Sequence, residues 1–197
     1  MRRLIALVTI LLVLPMAAMA KPEPDHRASK RNYVRHTFGA EAVGRSAVGA
    51  GINQGRNVPH EWGQGGTGFA KRFGSAFGQH VVGNTIHFGV SSLRHEEVGY
   101  RPSGKTGFGP RMKYALESTV VTRKTTTGKR TVAAGELSGA FGGGMISRLW
   151  QPASTRTVAS GLASGGVILG VDAGTHVVKE FWPEIRHPGR HHQPVAR

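Results

Sequence analysis

The chain has 197 residues, with 26 Lys and Arg against 11 Asp and Glu, a formal charge of +15 and no cysteine. The absence of thiols excludes disulfides, thiolate nucleophiles and cysteine-based metal centres. The surplus of cations directs attention to anionic surfaces such as lipid headgroups or acidic envelope polymers, and the length suffices for one domain with its own core.

The chain opens MRRLIALVTILLVLPMAAMA. Arg2 and Arg3 make a charged start, Leu4 to Leu14 an apolar run of about eleven residues, and Ala18-Met19-Ala20 a small-x-small cleavage site, which is the layout of a secretory signal. Residues 1–20 are therefore expected to be a signal peptide, the mature chain to begin near Lys21, and the protein to reach the periplasm or cell envelope. An exported destination makes nucleic acid an unexpected partner. Residues 21–36 are polar, basic and proline-containing, and they predict a disordered basic arm. Residues 186–197 carry His187, His191 and His192 among prolines and arginines and predict a second disordered tail.

A single helical domain is expected over residues 37–185. Phe38 to Asn53 is rich in small residues and predicts a first helix. Thr67 to His95 predicts the longest one, because Phe69, Phe73, Phe77 and Val81 repeat every four residues and Val82, Ile86, Val90 and Leu93 extend the same face. Gly99, Pro102, Gly104, Gly107 and Gly109 break the chain into a turn region. A third helix is predicted from Pro110 to Arg123, with proline in its first turn, and a fourth from Val132 to Trp150. Thr155 predicts the N-cap of a fifth, which should run to Phe181 and stop before Pro183. Sustained apolar/polar alternation and Asn-Gly or Asp-Gly hairpin signals are lacking, so no sheet is expected.

Glycines recur at helical spacing: Gly135, Gly139 and Gly143 in the fourth helix, Gly161 and Gly165, then Gly170 and Gly174, in the fifth. Each helical glycine costs roughly 1 kcal/mol relative to alanine. Close approach of two backbones compensates for that cost, so these seven positions are expected to pack helices, with the fourth and fifth forming an antiparallel pair. The same stripes could join a second copy in a homo-oligomer. Thr157 to Val171 gives only about fifteen nearly uncharged residues, short of the roughly 20 that cross a bilayer. A peripheral contact with anionic membrane, rather than a span, is the expectation.

Candidate chemistry is sparse. Arg94, His95, Glu96, Tyr100 and Arg101 are the residues that could do acid–base work, although neighbours on a helix end point in different directions. Asp172 and His176 stand four apart, most often a local polar contact on a helix; as half of a metal site the pair would need a partner, which His80 or His87, sharing a helix face, could supply. No nucleophile elbow, phosphate loop or paired-carboxylate signature occurs, and no cofactor is expected.

Several short motifs add up. Glu61-Trp62-Gly63-Gln64-Gly65, Gly68-Phe69, Arg72-Phe73-Gly74, Leu93-Arg94-His95-Glu96, Tyr100-Arg101, Tyr114-Ala115 and Val178-Lys179-Glu180-Phe181-Trp182-Pro183 make the chain resemble an uncharacterised family of exported bacterial proteins over roughly residues 38–185. That resemblance implies an envelope location and a mostly helical domain, and it carries no activity or catalytic residue. Relatives have an acidic-Pro-Arg-Tyr element where this chain has Glu97-Val98-Gly99-Tyr100. The expectation is thus an all-α, compact bundle of about five helices with glycine-striped packing. It would be non-enzymatic and exported, touching membrane or another anionic envelope surface. The alternative is a hydrolase acting on lipid or cell-wall material, with its site around the Arg94–Arg101 turn.

Overall fold

The structure, a computed structural model, describes residues 26–186. The expected signal peptide, at residues 1–20, and the histidine-rich tail from His187 lie outside the described residues. The fold is all-helical apart from one small hairpin. The five expected helices are present in order: α2 (Ala40–Gly55), α3 (Gly65–Arg94), α4 (Phe108–Glu117), α5 (Ala134–Ile146) and α6 (Val158–Arg186). Preceding them is α1 (His26–Phe38), in the segment expected as a loose arm. Its basic composition hides one short anchoring stripe. Tyr33 stands edge-on to Phe88 at 5.3 Å and shares a hydrogen bond with Thr85. Thr37 is fully buried and accepts from Asn84 Nδ2 at 2.6 Å.

Helix α3 ends in a Schellman motif. His95 takes the left-handed conformation at φ 54°, its N–H reaching Ser92 O, while the Glu96 N–H reaches Ser91 O at 2.8 Å. The third helix stops at Glu117, six residues before the expected end. Residues 121–132 read VTRKTTTGKRTV, and the β-branched ends pair as antiparallel strands β1 (Val121–Arg123) and β2 (Arg130–Val132). Thr125 to Gly128 closes the turn, with Gly128 at φ 67°. A hairpin built on a longer loop carries no two-residue turn signal. The last helix starts at Val158, and the hydroxyl that caps it is Thr157, which accepts from Ser160 N at 3.1 Å, not Thr155. It also runs through Pro183, which is exposed and so close to the end that only one helical bond is lost.

Helix α5 lies between α3 and α6 and packs most extensively on α3. Its glycines leave no room for a side chain. A methyl group at Gly139 would stand 2.6 Å from Gly83 O, and one at Gly143 2.9 Å from Gly83 Cα. Gly135 abuts Ser91 and His87, and Gly144, one residue round from Gly143, abuts Gly161 and Gly165 of α6. Five of the seven expected packing glycines, Gly135, Gly139, Gly143, Gly161 and Gly165, therefore sit at close helix contacts. Gly170 and Gly174 do not: a methyl group at either would meet nothing within 4 Å. The contact face of α6 continues through Asp172 and Glu180, and both glycines fall on the opposite side.

The core is made of small side chains. Among the described residues, the buried apolar ones are Ala42, Ala50, Ala115, Ala133, Ala140 and Phe88. The expected phenylalanine stripe of α3 is displaced to the margin. Phe73 and Phe77 are half-buried and stack at 6.1 Å, and Phe69 is exposed. Close backbone contact leaves no depth for large rings.

Candidate functional site

Helix α6 is the most asymmetric element. Gly161, Gly165, Asp172 and Glu180 are buried, whereas Leu162, Val167, Val171, Val178, Trp182 and Ile185 are exposed. With Gly166, Gly170 and Gly174 between them, these side chains make an almost uncharged outer stripe about 35 Å long at 1.5 Å per residue. Helix α6 is long and apolar enough to cross a membrane, and only 17% of its most apolar window is buried. The sequence reading ended the apolar run at Asp172. The structure turns that carboxylate inward, so the outer stripe continues past it. Beside the stripe, an open groove of about 600 Å³ is lined by Val171, Gly174, Thr175, Val178 and Trp182 of α6. Glu41 of α2 and Lys179 form its polar rim, 3.4 Å apart.

The buried carboxylates of α6, Asp172 and Glu180, have partners on the bundle side. Glu180 is 2% exposed. It accepts from the Tyr100 hydroxyl, from Ser103 N and Oγ, and from Arg111 Nε at 3.1 Å. Arg111 also reaches Glu184 at 2.6 Å and lies over the Phe181 ring. Burial pushes the Glu180 carboxyl up, but hydrogen bonds from Ser103, Tyr100 and Arg111 more than offset it and hold it below the usual carboxylate range. Burial, then the hydrogen bond to Glu180, drives the Tyr100 phenol far up. This cluster fastens the loop after α3 to the end of α6.

A second cluster joins four helices. Arg45 of α2 pairs with Asp172 of α6, and His87 Nδ1 of α3 lies 3.3 Å from Glu136 Oε2 of α5. Burial, followed by the facing Asp172 carboxylate, pushes Glu136 up to about 8, and burial lowers His87 to about 4. His80 bonds His36 O, and His176 approaches Thr119 Oγ1 and stacks on Tyr100 at 4.6 Å. Burial first lowers both, together with His36. Among the described residues no three His, Asp or Glu side chains are grouped so as to hold a metal.

The five candidate acid–base residues do not converge. Arg94 Nε bonds Glu96 Oε1 at 2.7 Å, while Glu96 Oε2 accepts from Gly135 N at 2.8 Å and so caps α5. His95 is an exposed turn residue. Tyr100 belongs to the Glu180 cluster, and Arg101 reaches Glu97 from a largely exposed position. Arg94, Glu96, Tyr100 and Arg101 each have a structural tie, and among the described residues the open groove lies elsewhere, against α6. The sequence reading missed Glu136 and Arg45. For Glu136, a lone carboxylate among glycines and alanines was the available signal. Missed as well was the role of Arg72, which is 1% exposed. Its five N–H groups go to Val58 O, Gln54 Oε1, Gly63 O, Asn57 Oδ1 and Pro59 O. That clasp gathers the Glu-Trp-Gly-Gln-Gly loop. No family model matches the chain, and no curated protein or solved structure matches it.

Proposed function

We propose that this is a non-enzymatic, exported helical protein of the cell envelope that lies on anionic membrane through the outer face of α6. One observation carries the reading: an exposed apolar stripe of Leu162, Val167, Val171, Val178, Trp182 and Ile185 on a helix whose carboxylates Asp172 and Glu180 are turned inward. A stripe of that length far exceeds the scattered apolar contacts of an ordinary soluble surface. A helix that is polar on one side and apolar on the other rests in the headgroup region. Trp182 and Arg186 at its end suit the polar boundary, where amphipathic side chains settle. The net charge of +15, of which only Arg2 and Arg3 lie within residues 1–20, adds attraction to an anionic leaflet. Small residues inside and large apolar ones outside are also the pattern of helices packed in lipid. The signal-like residues 1–20 and the resemblance to exported proteins support the envelope location.

Cosedimentation with lipid vesicles tests this. The protein should pellet with vesicles containing phosphatidylglycerol and much less with phosphatidylcholine alone. Val167→Asp with Val178→Asp should abolish binding while leaving the circular dichroism melt unchanged. Equal recovery in the supernatant with both lipids would overturn the reading. Retention of the protein through an alkaline-carbonate wash would replace surface contact by insertion.

A further inference from the structure

Positive charge gathers where α3 ends and the hairpin begins: residues 94–130 carry nine Lys and Arg against three Glu. In the register of β1 and β2, Arg123 stands directly opposite Arg130. Lys124 N reaches Lys129 O, and Ala133 N reaches Val120 O, both at 2.9 Å. Alternation along an antiparallel pair then puts the two arginines at a non-hydrogen-bonded position, where Cα atoms approach to about 4.5 Å and side chains stand closest. Like charges directly opposite one another are destabilising. This pair is on the outward face: Arg123, Arg130 and Val132 are exposed, whereas Thr122, Lys124 and Thr131 of the other face are half-buried. Its surroundings do not neutralise it. Glu117 of α4 takes Arg130 Nη2 at 3.0 Å and Lys113 Nζ at 3.6 Å. Arg123 gives Nη1 to Gly128 O at 3.1 Å; among the described residues its other donors, with Nε and Nη1 of Arg130, have no acceptor. Three cations around one carboxylate leave two positive charges over.

We propose that the outer face of the β1–β2 hairpin binds a phosphate monoester, held between the guanidinium groups of Arg123 and Arg130. Charge selects this ligand: a monoester carries about −1.5 to −2 at neutral pH, which matches the surplus, and a diester carries only one negative charge. Shape agrees, because the planar donor fork of arginine meets phosphate oxygens in pairs. A phosphate between the two side chains turns their repulsion into attraction. The frame is already rigid. Glu97 N bonds Arg123 O and Thr125 N bonds His95 O, each at 2.8 Å, and Thr122 Oγ1 bonds Glu97 O at 2.9 Å. These bonds fix β1 to the cap of α3, so little backbone has to be ordered on binding. Lys124 and Lys129 add to the positive field that draws anions in. Glu117 is the built-in competitor, since it occupies Arg130 in the free protein.

The site is independent of the membrane reading and is tested first without lipid. Inorganic phosphate is added to the ¹⁵N-labelled intact protein at fixed ionic strength and about pH 7.5, where phosphate is mostly dianionic. The arginine Nε–H signals of Arg123 and Arg130 and the backbone amides of residues 121–132 should shift together and saturate. Dimethyl phosphate, a monoanionic diester, should bind roughly tenfold more weakly. Arg123→Gln with Arg130→Gln should leave the hairpin amides unresponsive. Glu117→Gln should tighten binding severalfold by freeing Arg130, the opposite of what loss of a merely structural ion pair would do. Shifts that never saturate, or equal affinity for the diester, would overturn the proposal, and the unaltered protein decides this even where a variant fails to fold. Vesicles then identify the source of the monoester. Stronger retention on phosphatidic acid than on phosphatidylglycerol, removed by the double arginine variant, assigns a lipid headgroup. Equal retention on the two lipids beside saturable phosphate binding assigns a soluble phosphorylated ligand. A protein that binds phosphate but no vesicle would refute the membrane reading and leave this site standing.

Discussion

At the scale of single residues, the buried charges of this protein serve as fasteners. Glu180 gathers donors from Tyr100, Ser103 and Arg111, and Arg72 spends all five of its N–H groups on neutral acceptors without a carboxylate partner. Only a planar fork of five donors meets that arrangement; a lysine ammonium offers three from a point. Removing one side of a buried pair costs about 3–5 kcal/mol when the other is left unpaired, and the lower end of that range applies here because Arg111 keeps Glu184. Glu180→Leu should therefore lower stability by that order in urea denaturation. It should also make the segment between α3 and α4 the first to be cut in limited proteolysis, because Tyr100 and Ser103 lose their anchor. Unchanged cleavage kinetics would show that other contacts hold the loop.

At the scale of elements, glycine spacing was legible in the sequence, but the direction each glycine faces was not. Spacing of four says that residues share a helix face. Which face meets a neighbour depends on rotation, and that is set by distant partners such as Arg45 for Asp172 and Arg111 for Glu180. Gly139→Ala should thus destabilise the fold: overpacking against a backbone carbonyl costs about 1–3 kcal/mol, more than the roughly 1 kcal/mol gained in helix propensity. Gly170→Ala gains the propensity and meets nothing, so it should raise the unfolding midpoint. Opposite shifts for these two substitutions, measured side by side, check the assignment of inner and outer stripes. The same reasoning explains the other departures. Helix α1 rests on Tyr33 and Thr37 within a basic run, and the hairpin at 121–132 is marked by its mirrored VTRK and KRTV ends, which neither a composition count nor a two-residue turn rule detects. The candidate site was legible in part: Asp172 was noticed, whereas Glu136, 36 positions earlier in the chain, lacked any local pattern to link the two.

For the whole molecule, sensitivity to acid follows from imidazoles enclosed by the helices. His36, His80, His87 and His176 are all lowered by burial, His87 to about 4. Between their folded and unfolded values the unfolded chain binds more protons. Their contribution is therefore present above about pH 6.5 and lost as pH falls. The melting temperature should decline on acidification below pH 6.5, and His87→Gln should flatten that decline toward pH 4. A profile that stays level across this range would mean that the histidines are reached by water. Glu136, held up at about 8 by burial, loses its stabilisation as pH rises through that value, so the helical bundle should be most stable near neutrality.

Helix α5 has a consequence for how this chain can vary. It touches α3 with Gly135, Gly139 and Gly143 and α6 with Gly144, so bare backbone is pressed on two sides. In a library covering every substitution, this helix should read as a narrow band of forbidden positions, while the outer row of α6 accepts most apolar replacements. The history of such a sequence would be written on its outside, around a central rod that has almost no alphabet to spell with.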